Sequence, residues 1–175
     1  MTGHNELPSD LINDFYRNRD GRLSSRQWIA LITEPLSALL LLSVPLILLA
    51  GRYGAAGRLI VLALVAAFAI TIVMRAWKFA RAQLCYRVLF AEQAPARWRF
   101  WKQTTLVSKA GEAVRFERRL GKRLKLEAQQ SLHVYYIESG GRRIMLTMLP
   151  RNHPSAEIAE PSSRFQRAGG KLFAD

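Results

Sequence analysis

Two apolar stretches, residues 28–50 and 59–74, constrain the fold of this chain more than any other feature. A helix needs roughly 20 mostly apolar residues to cross a hydrocarbon layer about 30 Å thick. The first stretch has that length, and Arg75, Trp77 and Lys78 extend the second into the headgroup layer. A buried hairpin of a soluble domain is disfavoured, because 175 residues cannot surround two such helices. We therefore predict a membrane α-helical hairpin of two transmembrane helices.

Basic residues flank the two stretches unevenly. Four arginines precede the first stretch and four basic residues follow the second, whereas the loop between them carries two arginines. The positive-inside rule places the more basic flanks in the cytoplasm. The first 27 residues are polar and have no signal-peptide pattern. We therefore expect a two-pass membrane protein with both termini in the cytoplasm.

The positive charge is concentrated after the second stretch. Residues 75–127 hold fourteen basic and four acidic side chains, within a chain of formal charge +13. Beside a membrane, basic residues attract anionic lipid by about 1 kcal/mol each. Nucleic acid is the less favoured partner, and a solvated basic face that only fixes topology is an equal alternative to specific lipid recognition. Candidate lipid or partner contacts are Arg97, Arg99, Lys102, Arg118, Arg119, Lys122, Arg123 and Lys125.

Aromatic and basic residues near the apolar stretches are candidates for the membrane interface, where amphipathic side chains concentrate. The cluster around Trp98 could instead bind an extended partner or a nucleic-acid base. The favoured interpretation is that some of its side chains pack in the core and the others anchor the protein at the membrane interface. The candidate interfacial residues are Trp28, Trp77, Lys78, Trp98 and Trp101.

Glu34 and Pro35 stand out inside the first apolar stretch. An ionisable side chain at membrane depth is a functional candidate, and Glu34 could contact a partner subunit, a proton or a cation. The favoured interpretation is an interfacial carboxylate that pairs with Arg75 or Lys78. Pro35 removes one backbone donor, which frees a carbonyl one turn earlier and predicts a kink.

Three segments follow from these patterns. Residues 1–26 form a cytoplasmic N-terminal segment with a short amphipathic helix. We expect this helix to lie on the membrane surface or to dock on a partner. Residues 27–92 form the hairpin and a cytoplasmic helical extension, because an apolar stripe at helical spacing continues past Trp77. Residues 93–175 form a basic, β-rich domain with a flexible C-terminus.

The β prediction rests on alternation of apolar and polar residues after Pro95. The clearest hairpin covers residues 132–149, where Gly140 and Gly141 supply the positive φ angles of a tight turn. We therefore predict a small, mainly antiparallel cytoplasmic sheet.

Two membrane helices, a helical extension and a late hairpin with the sequence YIESGGRRIML resemble two-pass bacterial membrane proteins that carry a pleckstrin-homology-like cytoplasmic domain. The resemblance implies an adaptor or assembly component and assigns no individual residue. The sequence departs from such proteins in offering fewer than seven strands and in a final helix interrupted by Pro161, Gly169 and Gly170.

Motifs of enzymes are absent from the sequence. His4, His133 and His153 are too dispersed for a metal site, and Cys85 is alone. There is no phosphate-binding glycine loop, nucleophile elbow or pair of carboxylates in an apolar context. We therefore expect no catalytic activity, no metal and no cofactor.

Three functions from different classes fit these observations. The favoured one is a non-catalytic accessory or assembly subunit of a larger bacterial inner-membrane complex, with anionic lipid and other membrane subunits as partners. The second is an oligomeric transport or secretion component, for which few polar residues in the spans are available. The third is a membrane-tethered binder of lipid or nucleic acid that uses residues 97–125.

Overall fold

The computed structural model of the protein describes residues 9–50, 52, 54–91, 104–120 and 129–173, and only the backbone of residues 34–40, 42, 46–47 and 49–50. The chain divides into two compact units. The sheet unit combines Met1–Gln27 with Ala82–Asp175, and the helical unit is Trp28–Arg81. Residues that are far apart in sequence therefore build the sheet unit, and the helical unit lies between them in the chain.

Three helices precede the sheet: α1 (Ser9–Arg19), α2 (Ser25–Ala50) and α3 (Gly54–Ala80). Ser24 caps α2, because its hydroxyl accepts a hydrogen bond from the Gln27 amide at 3.2 Å. The Gln27 side chain accepts one in return from the Ser24 amide at 3.0 Å. This reciprocal pair is a capping box and fixes the first residue of α2.

Among the described residues one helix, α3, is long and apolar enough to cross a membrane. Its most apolar window has a mean hydropathy of 2.6, and none of that window is buried. Helix α2 begins at Ser25 and buries the polar side chains of Gln27 and Ser43. The predicted hairpin of two transmembrane helices is therefore wrong for the part of the chain that the structure describes, which supports a single candidate span.

The sheet unit contains seven strands in the order β3-β2-β1-β5-β6-β4, with β7 paired to β1. Two short helical elements, a 3-10 helix (Ala156–Ala159) and α4 (Ser163–Arg167), follow β6. The strands are β1 (Gln83–Phe90), β2 (Thr104–Val107), β3 (Ala113–Phe116), β4 (Arg118–Arg119), β5 (Ser131–Ser139), β6 (Arg142–Pro150) and β7 (Lys171–Leu172).

The sheet is mixed, which corrects the prediction of a mainly antiparallel sheet. Strand β4 runs parallel to β6, and β7 runs parallel to β1. Both parallel pairs arise from two-residue strands at the margins, which pair with segments distant in sequence. The described strands also reach seven, more than the sequence pattern indicates.

Strand β1 replaces the predicted helical extension. Helix α3 ends at Ala80, and the strand begins three residues later, at Gln83. All eight residues of β1 align with β5 in antiparallel register. Since β1 buries Cys85 and Leu89 in the core, pairing with a distant strand outweighs the local helical spacing.

The β5–β6 hairpin is present as predicted, with φ angles of 59° at Gly140 and 77° at Gly141. One face of the curled sheet encloses an apolar core. The side chains that form this core are Cys85, Leu89, Ala91, Leu106, Val114, Phe116, Leu132, Val134, Tyr136, Met145 and Met148.

Helix α1 belongs to the sheet unit and makes buried contacts there. Leu11 and Phe15 are buried, and the Phe15 ring meets the buried Tyr135 ring edge-on at 6.4 Å. The Asn18 amide donates a buried hydrogen bond to the Thr147 hydroxyl at 2.9 Å. Residues 9–19 were expected on the membrane surface or on a partner, whereas they dock on their own sheet.

Candidate membrane-facing site

The surface of α3 is apolar over most of its circumference. A narrow stripe at helical spacing is less exposed than the rest of the helix, and it consists of Gly57, Val61, Leu64, Phe68, Thr71, Arg75, Ala76 and Phe79. The exposed large residues elsewhere on the helix are Leu59, Ile60, Leu62, Val65, Ile70, Ile72, Val73, Met74 and Trp77. Soluble monomers rarely expose so long an apolar surface. Helix α3 could therefore span a membrane.

Trp77 and Arg81 form a stacked pair at the C-terminal end of α3. The guanidinium carbon of Arg81 lies 4.1 Å from the centre of the Trp77 ring, within the range of a cation–π interaction. The indole is 60% exposed, and Lys78 beside it is also exposed. Trp77 and Lys78 were predicted at the interface. Arg81 was missed, although its spacing of four residues from Trp77 places both side chains on one helix face.

Arg75 joins α3 to α2. Its Nη1 atom donates a hydrogen bond to the backbone carbonyl of Leu31 at 3.2 Å. In a regular helix that carbonyl accepts from the amide four residues later, which is position 35. Position 35 is a proline and has no amide hydrogen. The arginine side chain therefore satisfies a carbonyl that the proline leaves without its helical donor.

We expect the stability cost of Arg75→Met to depend on the residue at position 35. In the Pro35 protein the substitution leaves the Leu31 carbonyl without a donor, at a cost of about 1–3 kcal/mol. In a Pro35→Ala protein the new amide can take over, so the same substitution should cost less. Circular dichroism during denaturant titration in mild detergent measures this double-mutant cycle. Equal losses in both backgrounds would show that the arginine does not serve this carbonyl.

Two further predicted membrane residues lie in α2. Trp28 is partly buried near its first turn. The side chain of Glu34 is outside the described atoms, so its pairing with Arg75 or Lys78 remains a prediction. Arg75 itself donates a hydrogen bond to the backbone carbonyl of Leu31.

The structure describes two of the eight basic residues predicted to bind lipid or a partner. Arg118 and Arg119 form β4, are partly buried, and align with Ile144 and Met145 of β6. Their backbone therefore pairs with β6 at the edge of the sheet. Outside the described residues lie Arg97, Arg99, Lys102, Lys122, Arg123 and Lys125, together with Trp98 and Trp101.

Two reactive side chains of the described sheet unit, Cys85 and His133, are buried. The Tyr86 hydroxyl and His133 Nδ1 lie 2.6 Å apart, and burial lowers the pKa of His133. Burial also raises the pKa of the Cys85 thiol to about 11, which disfavours the nucleophilic thiolate. Within the described ranges, no three His, Cys, Asp or Glu side chains are grouped to hold a metal ion.

No protein-family model, curated protein or solved structure matches this chain. Arguments about its function therefore rest on its residues and their arrangement.

Proposed function

We propose that this protein is a non-catalytic accessory or assembly subunit of a complex in the bacterial inner membrane, with α3 as its membrane anchor. One observation carries the proposal: α3 exposes apolar side chains along its length and ends in the stacked Trp77–Arg81 pair. An apolar helix with aromatic and basic residues at its end is more stable in a lipid layer than in water.

The contacts of α1 join it to the sheet in one folded unit. The Ser162 hydroxyl donates to the Asp20 carboxylate at 2.8 Å, and the Ser162 amide donates to the Arg19 carbonyl at 3.1 Å. With the Asn18–Thr147 bond, these contacts tie residues before the helical unit to residues far beyond it. In this proposal residues 9–19 and the strands therefore belong to one folded unit, to which α3 adds a membrane anchor.

The charges around α3 favour the cytoplasm as the compartment of the sheet unit. Arg75, Lys78 and Arg81 cluster at the end of α3 that leads into the sheet unit, whereas Arg58 is the only charged residue in the first turns of the helix. Positive residues concentrate on the cytoplasmic side of a span. The sheet unit would then be available to cytoplasmic parts of a partner, while α3 contacts lipid and other membrane subunits.

Purification of the full chain in mild detergent, followed by mass spectrometry, tests the proposal. We expect the same membrane proteins to co-purify in every preparation. In a control chain, an unrelated apolar span of equal length replaces α3. The membrane proteins that pack against α3 should no longer co-purify with this control. A preparation of the full chain alone, without other subunits, would contradict the proposed role, and a homo-oligomer would favour a transport component instead.

A further inference from the structure

We infer that Trp77, Lys78 and Arg81 form a binding site for the phosphate group of an anionic phospholipid. The inference rests on the proposed function, because it requires α3 to lie in a membrane. It adds a chemically defined ligand and assigns that ligand to three residues at one end of the helix.

The stacked pair gives Arg81 the geometry that phosphate recognition uses. The Trp77 ring covers one face of the guanidinium at 4.1 Å, which leaves the N–H groups at its edge available. A guanidinium edge can donate two parallel hydrogen bonds to phosphate oxygens. Because stacking limits the rotation of the arginine, less conformational freedom is lost when a phosphate binds.

The charges around the pair are unbalanced. Lys78 and Arg81 are both exposed, and among the described residues neither forms a salt bridge with a carboxylate. Helix α3 itself contains no acidic residue. An anion at this position would therefore meet two positive side chains without competition from a described acidic side chain of the same helix.

The position along α3 selects lipid over soluble phosphate. Tryptophan prefers the interfacial layer, where its ring contacts hydrocarbon and its N–H reaches water. Arg81 lies four residues beyond Trp77, a distance of about 6 Å along a helix. The Arg81 side chain folds back over the indole at 4.1 Å, so both groups lie in the interfacial layer that holds the lipid headgroups.

Arg58 provides a matched control. It is an exposed arginine in the same helix, near the opposite end, and no described aromatic ring stacks on it. A general attraction between basic residues and anionic lipid would act on both arginines alike. Specific recognition would depend on Arg81 and on its Trp77 partner.

The test compares lipid retention by the full chain in detergent, measured by native mass spectrometry with phosphatidylglycerol or phosphatidylcholine. We expect the wild type to prefer phosphatidylglycerol, and Arg81→Gln to reduce that preference by about fivefold, the equivalent of one interfacial charge. Trp77→Leu should reduce it as well, whereas Arg58→Gln should not. Circular dichroism confirms that each variant is folded.

Equal losses in Arg81→Gln and Arg58→Gln would overturn the inference, since they would indicate general charge attraction. Displacement of the lipid by excess inorganic phosphate would also overturn it, because the site would then bind phosphate without the acyl chains. Alkaline extraction of membranes separates this result from the proposed function. A chain released by extraction contradicts the anchor itself, whereas an anchored chain with no lipid preference contradicts only the lipid site.

Discussion

Phe15→Ala is expected to lower the free energy of unfolding of the sheet unit by about 3–5 kcal/mol, the usual cost of removing a buried aromatic ring. Phe15 is 0% exposed and meets the Tyr135 ring from the opposite side of the sheet to the main core. Its loss would leave a cavity beneath α1 that the rigid sheet cannot close. Thermal denaturation in mild detergent, followed by tryptophan fluorescence and limited proteolysis, measures the loss.

The neighbouring aromatic residue provides the control. Tyr16 is 50% exposed on the same helix, so Tyr16→Ala should change stability by no more than about 0.5 kcal/mol. Similar losses in the two variants would mean that α1 does not dock on the sheet.

Val65→Arg is expected to weaken membrane insertion of α3 by about 3–4 kcal/mol, the difference between an apolar and a charged residue at the centre of a span. Val65 is 62% exposed near the middle of the helix, where its side chain would face lipid. The guanidinium at this depth cannot easily reach either interface. The fraction of protein that resists alkaline extraction from membranes should fall accordingly.

Ala56→Arg introduces the same charge into the same helix near its first turn. A long side chain at this position can extend to the headgroup layer, so insertion should remain close to that of the wild type. If both variants remain in the membrane equally well, α3 does not cross the hydrocarbon layer. If both are released, charge at any position disturbs the protein and the anchor has not been located.

The sequence predicts those elements whose signals are local. Gly140 and Gly141 predict the β5–β6 turn because few other residues adopt positive φ angles. The amphipathic spacing of Leu11 and Phe15 predicts α1, although it does not identify the surface that α1 covers. The identity of that surface depends on contacts with residues more than a hundred positions away.

Strand β1 was missed because its burial pattern resembles that of a helix. It buries Leu84 and Cys85 in succession, so apolar and polar residues do not alternate as they do in a half-exposed strand. The apolar stripe of α3 also continues into it by coincidence. Strands β4 and β7 contain two residues each, too few for any periodic signal.

The candidate site was predicted in part. Hydropathy predicts the apolar helix α3, whereas the interfacial position of Trp77 and Lys78 stays a prediction. The contact of Arg75 with the Leu31 carbonyl was not predicted, because charge complementarity suggested Glu34, whose pairing with Arg75 or Lys78 stays a prediction. Proline at position 35 was the signal available in the sequence. A missing amide creates a need for a donor, but only the packing of the two helices identifies which side chain supplies it.

Because α1 packs against parts of the chain that are synthesised much later, the direction of synthesis limits when the sheet unit can fold. The N-terminus is synthesised first, so Phe15, Asn18 and Asp20 emerge long before Tyr135, Thr147 and Ser162, the residues that they contact. Helix α3 is synthesised in between. The sheet unit can therefore be completed only after α3 has been made, and until then α1 has no sheet to cover its apolar face.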